Sequence, residues 1–536
     1  MIGIETEYGI YVEGKGAQDL VAEATHLVKL YPPPVAVGWD YRQEHPRRDM
    51  RGFTVDHLSI DPQDAQFEQS GRPHSTDVEV RSDRVLPSGA RLYNDHGHPE
   101  FSTAECTSIK ELIAQDRAGE RVMQVCAERR MAKMGGGLVA LYKNNTDYHG
   151  ASYGTHESYL TNRGVPFEEL LHSVLPFLVT RQIFAGAGKV GIEQQAAVAG
   201  GGAEARGGVY QLSQRSDFFT TIASVDTLYN RPIVNTRDEP HTDPRKFRRF
   251  HVICGDANLC EVATFLKVGT TLLTLRLIET GWKPEGIALR DPVTAIKRIS
   301  HDPNRMATGP GKWLVERLSG GVIGAVDLQR HYLLAAQQRL RGLSSETDEV
   351  LDEWEHVLNL LESDPGHLSD TLDWVAKQSL LEEFREAEGL TWDDPMLQSI
   401  DLEYHNVDPA TGLYYGLEQE GRVRRIVSDE SVAAAVSEPP AGSPRAIVRG
   451  IAVQKFAERM HAVTWSRFGL TDGAGQSTSV RLSRTDTLSP TLLRERLSAV
   501  TTPAEFVRTL DELERDVTDE DVEDVDEEEN GGSTAA

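Results

Sequence analysis

The sequence predicts an α+β fold, on three observations. Strand-period segments occur singly at 3–12, 90–95 and 137–144, with helical stretches between them. Two further short strands are predicted at 233–235 and 250–254, and from 259 to about 398 helices dominate. Strands spaced by helices and followed by a helical block suit helices packed on a mainly antiparallel sheet.

In residues 3–12, Ile4, Thr6 and Tyr8 alternate with Glu5 and Glu7, so the two carboxylates share one face of a strand. A helix is predicted over 17–30 and is stopped by Tyr31-Pro32-Pro33-Pro34. Residues 39–85 are polar, rich in Arg, Asp, Gly and Pro, and lack a sustained period. A loop this long inside a compact domain is usually functional, and a mobile segment is expected there. Helices over 108–133 and 167–184 follow, then a glycine-rich stretch that runs to Gly208. The turn-rich segment Ser437-Glu-Pro-Pro-Ala-Gly-Ser-Pro444 divides a large unit, 1–436, from a small one, 437–515, that contains Trp465. No internal repeat is present.

A chain of 536 residues exceeds the usual size of one core, which agrees with a large domain and a smaller appendage. The net charge of -27 is unevenly placed, because Asp511 to Glu529 holds thirteen acidic residues against one arginine. Residues 516–536 are therefore expected to form a self-repelling, unstructured tail. The remainder is also acidic, which weighs against nucleic-acid binding. A basic stretch, Arg245-Lys-Phe-Arg-Arg249, is the local exception and suits an acidic partner or a solvated strand face. No apolar run of about eighteen residues exists, and the strand pattern begins at once, so neither a membrane span nor a signal peptide is expected. Cys106, Cys126, Cys254 and Cys260 lack C-x-x-C spacing and sit in apolar stretches, as buried free thiols of a cytoplasmic protein would.

Chemistry concentrates in two segments, Gly3-Ile-Glu-Thr-Glu-Tyr-Gly9 and Arg91-Leu-Tyr-Asn-Asp-His-Gly-His-Pro-Glu100. Arg91, Tyr93 and Asp95 share a strand face, and Glu100 lies just past the His-Gly-His-Pro turn. Oxygen-rich clusters of this kind suit Mg2+, which usually shares its ligands with a nucleotide phosphate. The plain alternative is a solvated strand edge. Lys143-Asn144-Asn145 with His156 and Glu157 joins a strand to a polar turn, and Asn235-Thr-Arg237-Asp-Glu-Pro-His241 gathers donors and acceptors after a strand. Gly186-Ala-Gly188-Lys-Val-Gly191 matches a dinucleotide fingerprint in spelling, but what precedes it is helical, and Val190 denies it the hydroxyl of a phosphate loop. No Gly-x-Ser-x-Gly elbow is present.

Taken in order, these segments, with Leu212-Ser-Gln-Arg215, resemble the Pup ligase and depupylase family, related to glutamine synthetase and other carboxylate-amine ligases. The match runs to about residue 515. Trp39-Asp-Tyr41, Pro46-Arg-Arg-Asp49 and Arg51-Gly-Phe53 look like the inserted loop of the depupylase branch. The resemblance implies a glutamine-synthetase-like domain whose curved antiparallel sheet cradles ATP and Mg2+, with a small C-terminal domain closing on the nucleotide. By motif it implies Mg2+ ligands at Glu5, Tyr93 and Glu100, ATP contacts at Arg91, Thr103 and Trp465, and a catalytic carboxylate at Asp95. By analogy with the more distant synthetases it suggests Glu7 and His156 for a second metal, and Arg237 and His241 for a phosphate or the Pup end. The chain begins close to Gly3, so a few native residues are expected to be missing before it.

The implied activity is ATP- and Mg2+-dependent deamidation of the C-terminal glutamine of Pup and hydrolysis of the Pup-lysine isopeptide bond. Pup and pupylated proteins are the implied partners, and a monomer is expected. Asp95 would attack the γ-carbonyl or act as a base on water. Two other classes stay open at this point: an ATP-dependent ligase, joining Pup to lysine or a small amine to glutamate, and a noncatalytic binding protein.

Overall fold

The protein is described by a computed structural model at residues 1–58, 81–148, 150–191, 210–227, 231–301 and 313–530. Eight strands form one sheet in the order Thr221–Ser224, Pro232–Asn235, Phe247–Val252, Thr155–Asn162, Ile2–Glu7, His98–Ser102, Arg91–Asp95 and Arg84–Val85. The first pair is parallel and every other neighbouring pair antiparallel, the α+β architecture that the sequence predicts.

Alternation decides what each sheet face does. Ile2, Ile4 and Thr6 are buried behind the sheet, and the register sets Phe101 against Thr6 and Tyr159 against Ile2. Phe250 and Val252 continue this apolar face on the Phe247–Val252 strand. The helices Ile109–Met134, Phe167–Thr180 and Glu261–Glu279 cover it with Leu112, Ile113, Val174, Phe177, Phe265 and Leu266, each fully burying a side chain worth about 1.5–3 kcal/mol. Ser108 starts the first of these helices by accepting from the Glu111 amide. A Cβ on Gly119 of that helix would stand 2.6 Å from the Phe101 ring, so glycine permits the close approach of helix to sheet. Glu157 puts a carboxylate on this face, opposite Ile4 and Val252 in register. It is matched by buried Arg181, which donates to both its oxygens at 2.8 and 2.5 Å.

The expected 3–12 strand breaks at Tyr8. Gly9–Val12 leaves the sheet to pair with Val139–Tyr142, and at Gly9 a Cβ would meet the Tyr153 hydroxyl at 2.5 Å. The 167–184 helix turns at Arg181, and a hairpin, Leu314–Glu316 with Val322–Gly324, interrupts the helical block. Of the glycine-rich stretch, 192–209 lie outside the described residues.

Residues 59–80 of the expected mobile loop also lie outside the described residues. Its flanks are packed where the sequence predicts mobility. Asp40, Asp49, Met50 and Asp83 are buried, the Met50 amide donates to Thr236 at 2.8 Å, and the Thr236 hydroxyl donates to Asp49 at 2.5 Å. Hydrogen bonds and ion pairs, with scattered apolar anchors in place of a periodic apolar face, hold these flanks, so hydrophobic periodicity does not reveal them.

Beyond Pro444 a separate apolar cluster forms around Ile447, Val448, Phe468, Leu482, Leu497 and Phe506, and Trp39 and Val85 join it. The last helix, Pro503–Asn530, carries the acidic run where an unstructured tail is predicted. Buried Phe506, Leu510 and Leu513 anchor its first turns, after which each residue fixed adds one hydrogen bond without the cost of nucleating a new turn. Residues 531–536 lie outside the described residues. All four cysteines are buried and free. Among the described residues, no helix is long and apolar enough to cross a membrane.

Candidate active site

Directly paired residues in antiparallel strands share a face, so the register assembles the polar side of the sheet. Glu7 pairs with Glu100, which pairs with Tyr93; Asp95 pairs with His98; Glu5 pairs with His156; Ser158 pairs with His251. Two clusters result. Ligating atoms of Glu7, Asp95 and Glu100 all lie within 4.8 Å of one another, as do those of Glu5, His156 and His251. The sequence resemblance groups Glu5 with Tyr93 and Glu100 and treats Glu7 as secondary, whereas the structure sets Glu5 beside the two histidines and Glu7 beside Glu100.

The carboxylates differ in their surroundings. Glu100 is 1% exposed and its Oε1 has no hydrogen-bond partner among the described residues. Burial, then the charges of Asp95, Glu7 and Glu5, push its carboxyl well above the usual range against a weaker hydrogen bond with Tyr93. A buried acid of this kind lacks a cation, which fits the donor set for a hard divalent ion. For Asp95, burial also pushes upward, but His96, Arg81, His156 and Arg91 outweigh it and lower the carboxyl. Arg81 Nη1 donates to Asp95 Oδ1 at 3.2 Å, and His96 Nε2 lies 3.9 Å from the same oxygen. For Glu5, burial pushes upward, but the hydrogen bond from His156 and the charge of Arg249 outweigh it, so it stays ionised.

In the second cluster, His156 Nδ1 stands 3.6 Å from Glu5 Oε2, and Arg249 Nη1 donates to Glu5 Oε1 at 3.3 Å. The His251 ring meets that of His156 edge-on at 5.3 Å. Both His251 ring nitrogens are buried and have no hydrogen-bond partner among the described residues, and burial, helped by Arg249, holds this imidazole neutral. A neutral imidazole with an unused nitrogen is the form that binds metal.

Arg91 is committed within the protein. It donates to Asp83 at 2.8 Å and to the Tyr41 hydroxyl at 2.7 Å, and its guanidinium lies between the rings of Trp39, at 3.9 Å, and Tyr93, at 3.8 Å. Trp465 meets Trp39 edge-on at 5.3 Å and carries Arg449 over its ring at 4.9 Å. Arg91 and Trp465 thus meet through Trp39. Thr103 is buried and accepts from the Ile4 amide at 3.0 Å, a bond that pins the sheet. Arg237 Nε donates to the Val225 carbonyl at 3.1 Å. His241 has a left-handed backbone, φ 54, and burial followed by the Arg249 charge lowers its pKa to about 3.

Sequence reading missed His251, the place of Arg249 beside Glu5, Arg81 and Asp83. The first two alternate with Phe250 and Val252, a period-2 signal that marks the polar face. Arg81 and Asp83 carry no such signal, since they end a segment without period.

The Pup-ligase protein family matches residues 1–469 of the chain. A protein named Depupylase from Acidothermus cellulolyticus is 42% identical over 500 residues, 91% of this chain and 94% of that one. A Pup deamidase/depupylase from Mycolicibacterium smegmatis is 39% identical over 498 residues, with 91% and 94% covered. The solved structure of the Pup ligase PafA in complex with ADP is 32% identical and superimposes with a TM-score of 0.68, covering 84% of this chain and 96% of that one. With the family matched over most of the chain, the chain belongs to the Pup-ligase protein family.

Proposed function

We propose that this chain hydrolyses the amide at the γ-carbonyl of the C-terminal residue of Pup, releasing ammonia from a terminal glutamine and the lysine amine from a pupylated protein. The observation that carries this reading is the 42% identity to a depupylase over 91% of the chain. In the net reaction water supplies oxygen to the carbonyl carbon, the C–N bond breaks, and the nitrogen leaves with a proton from that water. Asp95 is the reacting carboxylate in the reading, either adding to the carbonyl or taking the proton from water, and both roles require it unprotonated. Its lowered pKa, held by His96 and Arg81, supports that state.

ATP is the bound nucleotide, as the ADP in the ligase relative supports. Arg91, Thr103 and Trp465 are its proposed contacts, and the stack through Trp39 supports Arg91 with Trp465. Mg2+ is proposed at Glu7 and Glu100 with Tyr93 beside them, and a second ion at Glu5, His156 and His251. When bound, such ions supply positive charge where oxyanions form. The four free thiols fit a reducing, cytoplasmic setting.

The test is incubation with Pup ending in glutamine, ATP and Mg2+, followed by mass spectrometry. Conversion of amide to acid without stoichiometric ATP loss supports the reading. Ligation of Pup to lysine with ATP consumed in proportion to product overturns it in favour of a ligase.

A further inference from the structure

Three carboxylates, Glu7, Asp95 and Glu100, lie within reach of one cation, yet in the proposed reaction one of them must stay out of the metal's hold. Their partners differ in a way that sorts them. Glu100 offers a buried oxygen with no hydrogen-bond partner among the described residues. Asp95 has the most open side chain of the three, 22% exposed against 12% for Glu7, and its Oδ1 already receives a hydrogen bond from Arg81. A guanidinium is charged at every working pH, and on that oxygen it repels a divalent cation.

Arg81 is itself held from several sides. Its guanidinium lies 5.0 Å over the Tyr41 ring, whose hydroxyl donates to Asp83 Oδ2 at 2.6 Å. Asp83 in turn accepts from Arg91 on the strand that carries Asp95. Between Arg81 and Asp83, Ser82 holds a left-handed backbone at φ 55, a costly conformation for a residue with a side chain. Both ends of the 39–85 segment, Tyr41 at one and Arg81 with Asp83 at the other, thus close over the Arg91–Asp95 strand.

We infer that Arg81 is a positioning residue: it holds the Asp95 carboxylate away from the Glu7–Glu100 cation site and so leaves it free to react. The inference rests on the proposed role of Asp95. Arg81→Ala, Arg81→Lys and the double variant Arg81→Ala/Asp95→Asn, made in the full chain, test it.

The first measurement needs neither Pup nor nucleotide: Mn2+ binding followed by electron paramagnetic resonance. Freed from Arg81, Asp95 joins the cation site, so Arg81→Ala should bind Mn2+ about 10-fold more tightly than wild type, and the double variant should lose that gain. The second measurement is steady-state deamidation of Pup ending in glutamine. Arg81→Ala should lose about 10-fold or more in kcat with KM nearly unchanged, Arg81→Lys should keep most activity, and guanidinium in the buffer should restore part of the alanine variant. Unchanged or weaker Mn2+ binding in Arg81→Ala, or a gain that survives in the double variant, overturns the inference. Failure of both lysine and guanidinium to restore turnover overturns it as well. If wild type does not deamidate Pup but the Asp95-dependent Mn2+ gain is seen, the proposed function falls and the positioning role stands.

Discussion

Glu100→Gln keeps the shape of a buried side chain and removes an acid from a face that also carries Glu5, Glu7 and Asp95. In the cation-free protein the Glu100 carboxyl is held well above its ordinary 4.5, by burial first and then by those three charges. A carboxyl raised in this way contributes its full stability only below its unfolded pKa. That contribution is lost as pH rises toward the folded pKa, at about 1.4 kcal/mol per pH unit. Glutamine suffers no such loss, so the variant should gain on wild type as pH rises. For a chain of 536 residues melting together the unfolding entropy is about 1.1 kcal/mol/K, so each pH unit widens the gap in Tm by about 1 °C. Mg2+ reverses the order. At 100 times its Kd it should stabilise wild type by about 2.7 kcal/mol, or about 2 °C, and the variant far less. Scanning calorimetry from about pH 5 to about pH 8, with and without Mg2+, reads both effects. A gap in Tm that ignores pH, or an equal Mg2+ shift in the two proteins, would refute the reasoning.

Three further outcomes are expected. Asp95→Asn should lower single-turnover deamidation at least ~10²-fold while calorimetry shows ATP still bound; near-normal turnover would remove Asp95 from the chemistry. Arg181→Met strands Glu157 behind the sheet and should cost about 3–5 kcal/mol in urea unfolding, and a loss below about 1 kcal/mol would mean that Glu157 finds another partner. Trp39→Ala empties the space between Arg91 and Trp465; it should cost about 3 kcal/mol of stability and weaken ATP binding. Unchanged nucleotide affinity in that variant would separate the stack from the ATP site.

Much of the site was legible residue by residue. Glu5 and Glu7 stand opposite Ile4 and Thr6, and Asp95 shares a face with Tyr93 and Arg91, because a strand has a period of two wherever it forms. Grouping was harder to read. Tyr93 and Glu100 are paired in register, and their hairpin is short, but Glu5 and Glu7 lie on one strand and serve different clusters. His251 reaches the Glu5 cluster from a strand two places away in the sheet, and the residues between them in sequence say nothing of that neighbour. The packing of the 39–85 flanks was not legible for another reason. Tyr41, Asp49 and Asp83 are held by hydrogen bonds and ion pairs, which leave no apolar rhythm.

Which face a side chain takes, where helices begin, and the ordered motifs of the family are properties of short stretches of chain, set by backbone sterics and local spacing, and they could be read from the residues alone. Strand order and register are long-range choices, made when Phe101, Tyr159 and Phe250 find their places against the covering helices. Those choices put His156 and His251 beside Glu5, crowd Glu100 among like charges, and bring Arg81 onto Asp95. The charge of each group was written in the sequence, but its pKa and its partner depend on distances that exist only once the sheet has closed.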